Sequence, residues 1–142
     1  MLQNIKSFGL AFYILLGVVA LQTNLAVAQP LSSTNVTEAG MVANQYMQAL
    51  MEGDTEIVRS LLVDDALTRK SSMLSNPTYS GFLQRIYSNA QFQILNAELR
   101  SSGNIIADVL VTYSSQETIK FRLWLKSVEK VGMRIFSETE LH

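Results

Sequence analysis

The stretch from Tyr46 to Ala66, YMQALMEGDTEIVRSLLVDDA, constrains the fold more than any other part of the chain. Ala39, Ala43, Tyr46, Met47 and Leu50 recur at helical spacing as far as Glu52. Gly53 follows, the residue best suited to the left-handed conformation that ends a helix. Asp54 can then cap a second helix at once, with Glu56 in a first turn where the helix dipole favours an acid. Ile57, Val58, Leu61 and Leu62 form its apolar stripe, so two amphipathic helices meet at a sharp corner. Asp64-Asp65 reads as the turn that terminates the second of them.

The rest of the chain supplies what these helices pack on. Upstream, Asn35 and Glu38 resemble a capping box, which places the start of the first helix near Asn35. Downstream, Ala66 to Lys70 fits a short strand and Ser71 to Ser75 a polar loop. Asn76-Pro77 then suits the cap and first position of a helix reaching about Asn89, with Tyr79, Phe82, Leu83, Ile86 and Tyr87 on its apolar face. From Gln91 the period changes to two: Phe92 and Ile94, then Ile105, Ala107, Val109, Val111 and Tyr113, then Ile119, Phe121, Leu123 and Leu125. Ser101-Ser102-Gly103-Asn104, Ser115-Gln116 and Glu129 to Gly132 separate these runs at hairpin intervals, which predicts a four-stranded antiparallel meander ending in Met133 to Leu141. Helices first and strands last, with no βαβ alternation, make an α+β domain with helices packed on one sheet face.

The N-terminus reads as an export signal. Lys6 precedes an unbroken apolar run from Phe8 to Leu21, and Ala26-Val27-Ala28 carries small residues where a signal peptidase cuts, which predicts cleavage before Gln29. The run is shorter than the roughly 20 residues that span a bilayer, so no stable membrane insertion is expected once it is removed. Residues 1–28 are thus the signal, 29–34 a flexible leader, and 35–142 a single domain exported to a bacterial periplasm or secreted. Cysteine is absent, so such a domain is held by its core and not by disulfides, and no lipid-anchor cysteine follows the cleavage site. A net charge of −1, more acidic still without Lys6, argues against nucleic acid as a partner. Asn35-Val36-Thr37 fits a glycosylation sequon, a pattern that arises often by chance.

The helix corner, the Leu-Leu-Val-Asp-Asp-Ala turn, a third helix and a terminal meander together resemble the nuclear transport factor 2-like superfamily, also called SnoaL-like or cystatin-like. That resemblance implies a cone: a strongly curved antiparallel sheet and N-terminal helices around a largely apolar cavity. The superfamily includes isomerases, dehydratases, cyclases and many non-enzymatic binding or dimerisation domains, so the fold does not settle function. The segment from Tyr46 through the Asp-Asp-Ala turn is similar to ketosteroid isomerase, in which Tyr46 corresponds to the oxyanion-hole tyrosine. The position of that enzyme's general base falls five residues after Asp65 and is Lys70 here, and no Asp follows Asp108 to supply its second oxyanion donor. One of three catalytic parts is present.

The candidate pocket residues are therefore Tyr46, Lys70, Phe82, Ile119, Phe121 and Leu123, with Lys70 and Arg69 offering cations to an apolar or anionic amphiphilic ligand. For an isomerase, dehydratase or cyclase built around Tyr46, the carboxylates left as acid or base are Asp108 and Glu98. Lys120, Arg122, Trp124 and Lys126 share a strand face, where Glu138 and Glu140 of the next strand are expected to pair with them. Trp124 and Phe136 amid those charges suit a homodimer interface or a scaffold within an envelope complex. Asp64 and Asp65 lack further acidic partners for a hard metal, and His142, the sole histidine, ends the chain, so neither metal nor cofactor is expected. The leading expectation is an exported, non-enzymatic binding or interaction domain.

Overall fold

The computed structural model describes residues 31–142, and the expected signal segment lies outside them. Four helices precede four strands: α1 Leu31–Glu52, α2 Thr55–Leu61, α3 Asp64–Leu74, α4 Tyr79–Ile86, β1 Gln91–Leu99, β2 Ile105–Thr112, β3 Thr118–Val128 and β4 Gly132–Leu141. The strands pair antiparallel in the order β1-β2-β3-β4, an open meander with the helices on one face, so the α+β expectation holds.

The corner forms as its residues require. Gly53 takes φ +71, and the Asp54 side chain accepts a hydrogen bond from the Ile57 N–H at 3.0 Å, capping α2. On α1, Ala39, Val42, Ala43, Tyr46, Met47 and Leu50 are buried, one stripe at the i, i+3, i+4 spacing. Val58, Leu61 and Leu62 of the α2 segment join the same core. From the sheet come Ile105, Ala107, Val109 and Val111 of β2, Leu123 and Leu125 of β3, and Met133 and Ile135 of β4. α2 is tied to the sheet edge directly, since Leu62 bridges Ile135 in parallel and the Val63 N–H donates to the Ile135 carbonyl at 2.9 Å.

Three local expectations are corrected. α1 begins at Leu31, within the segment read as a leader, so Asn35 lies inside the helix and is not its cap. Glu38, the supposed capping-box partner, instead reaches across the fold to accept the Met133 N–H at 2.9 Å, which ties α1 to the start of β4. Asp64-Asp65 does not end a helix but opens one, and the Ala66–Lys70 strand and Ser71–Ser75 loop are replaced by α3. The two acids sit in its first turn, favoured by the dipole, with Asp65 pairing Arg69 at i+4, while Ala66 and Leu74 are buried two turns apart. Asn76 makes an Asx turn, its Oδ1 accepting from the Thr78 N–H and hydroxyl, so α4 starts at Tyr79 and ends at Ile86, short of Asn89.

Two irregularities decide which side chains face the core. In β1 the register passes from Ile94↔Val109 to Asn96↔Asp108, leaving Leu95 as an extra residue. In β4 it passes from Ile135↔Leu125 to Ser137↔Trp124, leaving Phe136 extra. Each is a β-bulge, and each inverts the inside-outside alternation beyond it.

Gly53 is also a site of close approach, because a Cβ there would lie 2.6 Å from the Ser80 carbonyl and 2.8 Å from Gln84 Cγ of α4. Gly53→Ala combines this clash with a left-handed backbone that costs an L-residue about 1–2 kcal/mol. Chemical denaturation is expected to show a loss of at least that size, whereas an alanine at exposed Gly81, with nothing within 4 Å of its Cβ, raises stability or leaves it unchanged.

Candidate functional site

The bulge at Phe136 brings Glu138 onto the inner face of the sheet, opposite the core residue Leu123. There it meets Tyr46, whose hydroxyl donates to Glu138 Oε2 at 2.5 Å, and Lys70 of α3, whose ammonium lies 3.1 Å from the same oxygen. Lys70 Nζ also sits 5.7 Å from the centre of the Tyr46 ring, within cation–π range. Tyr46 is 0% exposed, and its burial pushes the phenol far above its ordinary value, with the Glu138 carboxylate adding to the effect. It is therefore a neutral donor throughout the physiological range. Burial likewise raises Tyr79 and Tyr87, and the Glu138 charge adds a smaller contribution to both.

Beside this cluster lies a cleft of about 170 Å³ lined by Ala66, Arg69, Lys70, Met73 and Glu138. Met73 also lines a second cleft of about 330 Å³, with Asn76, Thr78, Tyr79, Phe82 and Arg85, so the two adjoin between α3 and α4. The second is walled by apolar surface that folding leaves open: Met73 is 42% and Phe82 43% exposed, and Phe82 stacks on Tyr79 with ring centres 5.8 Å apart. Arg69 is held by Asp65 at 2.9 Å and donates to Ser137 Oγ, while Arg85 has no ion pair or hydrogen bond among the described residues. The arrangement can hold an apolar chain against Met73, Tyr79 and Phe82 and place cations at either end.

Among solved structures, the chain is similar to a nuclear transport factor 2 (NTF2-like) superfamily protein from Salmonella enterica subsp. enterica serovar Typhimurium str. LT2, with a TM-score of 0.53 over 77% of this chain and 91% of that one. The fold is nuclear transport factor 2-like. At 12% identity the likeness carries the arrangement of elements and leaves the chemistry to the residues. No family model and no curated protein matches the chain.

Within this nuclear transport factor 2-like fold, the expected pocket residues scatter. Tyr46 and Lys70 come together, as described. Leu123 is fully buried in the core and Phe121 packs partly against it, so these two belong to the packed core on the inner sheet face; Ile119 is half-buried, opposite Val111. Phe82 lies away from the core, on the exposed side of α4. The acid/base candidates are placed away from Tyr46 altogether. Asp108 points from the opposite sheet face, 6% exposed, held bidentately by Arg122 at 2.7 and 2.9 Å with Lys120 at 3.6 Å. Glu98 is on that outer face too, across from Ile106, and pairs with Arg100 at 3.0 Å.

The expected pairing of Glu138 and Glu140 with the basic stripe does not occur, because the Phe136 bulge turns both to the inner side. The stripe is balanced otherwise: Lys120 and Arg122 by Asp108, and Lys126 by Asp64 at 2.5 Å. Trp124 and Phe136 are half-buried, and Lys126 Nζ covers the Phe136 ring at 5.6 Å from its centre. Among the described residues no group of acidic or histidine side chains could hold a metal, and no helix is long and apolar enough to cross a membrane.

Met73 and Arg85 were not singled out by the sequence reading, and Glu138 was read only as a charge partner on the outer sheet face. Met73 had a usable signal, since Ala66, Arg69, Lys70 and Met73 recur at helical spacing, and all four line one cleft. Glu138 had none, because nothing in the residue types marks the bulge.

The Arg122 hydrogen bonds hold the Asp108 carboxyl below its ordinary 3.8, against the opposing effect of burial and with help from the Arg122 and Lys120 charges. A depressed folded-state value means that the stabilisation is fully present above about 3.8 and is lost as pH falls through the lower folded value. Asp108→Asn is expected to cost about 1–3 kcal/mol at neutral pH. Denaturant titrations should show the gap between wild type and variant narrowing as pH falls from about 3.8 through the lower folded-state value of the wild-type carboxyl.

Proposed function

We propose that the chain is an exported, non-enzymatic binding module whose cleft between α3 and α4 takes a small apolar or anionic amphiphilic ligand. The observation that carries this reading is the joining of exposed Met73 and Phe82 to Arg85, a cation with no partner among the described residues. Exposed apolar side chains and a solvated cation are each common alone; side by side in one concavity they suit a ligand with a hydrocarbon part and a negative part.

Three features support binding over catalysis. The Tyr46 hydroxyl is already engaged in a hydrogen bond to Glu138, so the phenol is not free to stabilise an oxyanion. An ammonium, Lys70, stands where the resemblance to ketosteroid isomerase places a base. The two carboxylates that the sequence reading left as acid or base, Asp108 and Glu98, face the other side of the sheet. Export rests on the apolar run Phe8 to Leu21 and the Ala26-Val27-Ala28 site.

Two experiments test the reading. In isothermal calorimetry, wild-type protein is expected to bind decanoate, and Phe82→Ser to weaken binding by about tenfold or more, since losing a buried phenyl ring removes roughly 1.5–3 kcal/mol. Because Phe82 is exposed, the variant keeps its fold; equal affinity in both proteins, or no binding to either, overturns the cleft. Expression in a Gram-negative host should deliver periplasmic protein whose N-terminus is Gln29, and recovery of uncleaved protein from the cytoplasm would sink the export reading.

A further inference from the structure

The Tyr46–Lys70–Glu138 cluster has the geometry of an occupied carboxylate site. Two donors, a phenol on α1 and an ammonium on α3, converge on one carboxylate oxygen at 2.5 and 3.1 Å. A neutral hydroxyl and a cation on one oxygen form a strong, charge-assisted set. Both donors stand on helices built into the core, and Tyr46 and Ala66 beside them are buried at 0% and 2% exposure. The acceptor comes from elsewhere: Glu138 lies on β4, a strand at one end of the sheet order, beyond the bulge at Phe136. Its carboxylate caps the Tyr46 hydroxyl and at the same time lines the cleft that runs by way of Met73 to Tyr79, Phe82 and Arg85.

We propose that Glu138 is a tethered competitor, and that the head group of a monocarboxylate with an unbranched apolar tail replaces it on Tyr46 Oη and Lys70 Nζ. This deepens the binding reading above and rests on it. The exchange is balanced at the head: the Tyr46 hydroxyl and the Lys70 ammonium each lose one carboxylate oxygen and gain another, so neither is left unsatisfied. Arg69, which lines the same cleft, offers the displaced Glu138 a cation. With the polar terms nearly cancelling, the balance is set by the tail, whose burial against Met73, Tyr79 and Phe82 tightens binding with every added methylene. Glu138 therefore sets a threshold. Short carboxylates such as acetate bring too little apolar surface to displace it, and longer ones succeed, which is selectivity by chain length without a closed pocket. The ligand's apparent affinity is lowered by the fraction of molecules in which Glu138 occupies the donors.

The test is calorimetry with decanoate and with decanol, its uncharged counterpart, on wild type, Glu138→Ala, and Glu138→Ala combined with Lys70→Met. Removing the competitor is expected to tighten decanoate binding by about tenfold, to leave decanol unchanged, and to lose that gain when Lys70 is also replaced. Glu138→Gln keeps the side-chain shape, is expected to move affinity in the same direction, and serves if the alanine variant folds poorly by circular dichroism. Decanoate binding that is sensitive to Phe82→Ser but identical in wild type and both Glu138 variants overturns the competitor while leaving the cleft. An equal gain for decanol also overturns it, since the site would then be opening to bulk and not to charge. Absence of decanoate binding to every variant removes the cleft and the competitor together.

Discussion

The extra residue at Phe136 determines what this domain can do. Up to Ile135, β4 contributes core residues in strict alternation, and Ile135 is pinned from outside by the Leu62 bridge and the Val63 N–H. Had the alternation continued, Glu138 would have joined the charged outer face and Ser137 the interior. The bulge inverts the faces one residue after the pinned position, so the strand that seals the core with Met133 and Ile135 delivers a carboxylate to Tyr46 and Lys70. The bulge at Leu95 works in the opposite sense. Alternation from Phe92 and Ile94 would have carried Glu98 inward, and the bulge turns it outward to Arg100. Two single-residue insertions thus exchange which carboxylate faces the helix-covered side of the sheet.

That exchange depends on the helix corner being held still. Gly53 lets α1 turn into α2 within two residues and lets α4 approach so closely that Gln84 donates to the Glu52 carbonyl at 2.9 Å. With α1, α2 and α4 locked at one end, and Glu38 tying α1 to the Met133 N–H at the other, Tyr46 has no freedom to leave the core. α3 follows directly from the Leu62-Val63 link to β4, and this fixes Lys70 opposite the inverted end of the same strand. The position of each member of the cluster therefore follows from backbone constraints several residues away from it.

The legible parts of this sequence were those governed by local rules. Gly53 and Asp54 announce a corner through their own conformational and capping preferences, and the alternating runs in β2 and β3 announce a meander because no register shift interrupts their pairing. α3 was misread because Ala66 to Lys70 is too short a window to separate helical from strand spacing, and the deciding apolar contact, Leu74, lies in a segment that looks polar. The site was misread for a deeper reason. Bulges carry no reliable residue signature, and a one-residue shift moves every later side chain to the other face, so inward or outward assignment in β1 and β4 could not be carried past them. Tyr46 and Lys70 were found because helical periodicity or family likeness located them, and Glu138 was placed on the wrong face because alternation was extended through Phe136.

The same geometry bears on the proposal that this fold serves binding and not catalysis here. A general base needs a lone pair directed at substrate, and an oxyanion hole needs a proton not already committed. In this chain Tyr46 offers one proton and Glu138 receives it, while the Lys70 ammonium closes on the same oxygen. The three groups satisfy one another, which gives buried Tyr46 a partner it requires in any case. Opening the cluster for chemistry would leave a phenol without an acceptor in the core, a cost of about 1–3 kcal/mol with nothing in return. Opening it for a carboxylate replaces one acceptor by another, and only the apolar tail must then decide. A cluster that is costly to disrupt yet nearly neutral to exchange is suited to recognising an anion and poorly suited to moving a proton.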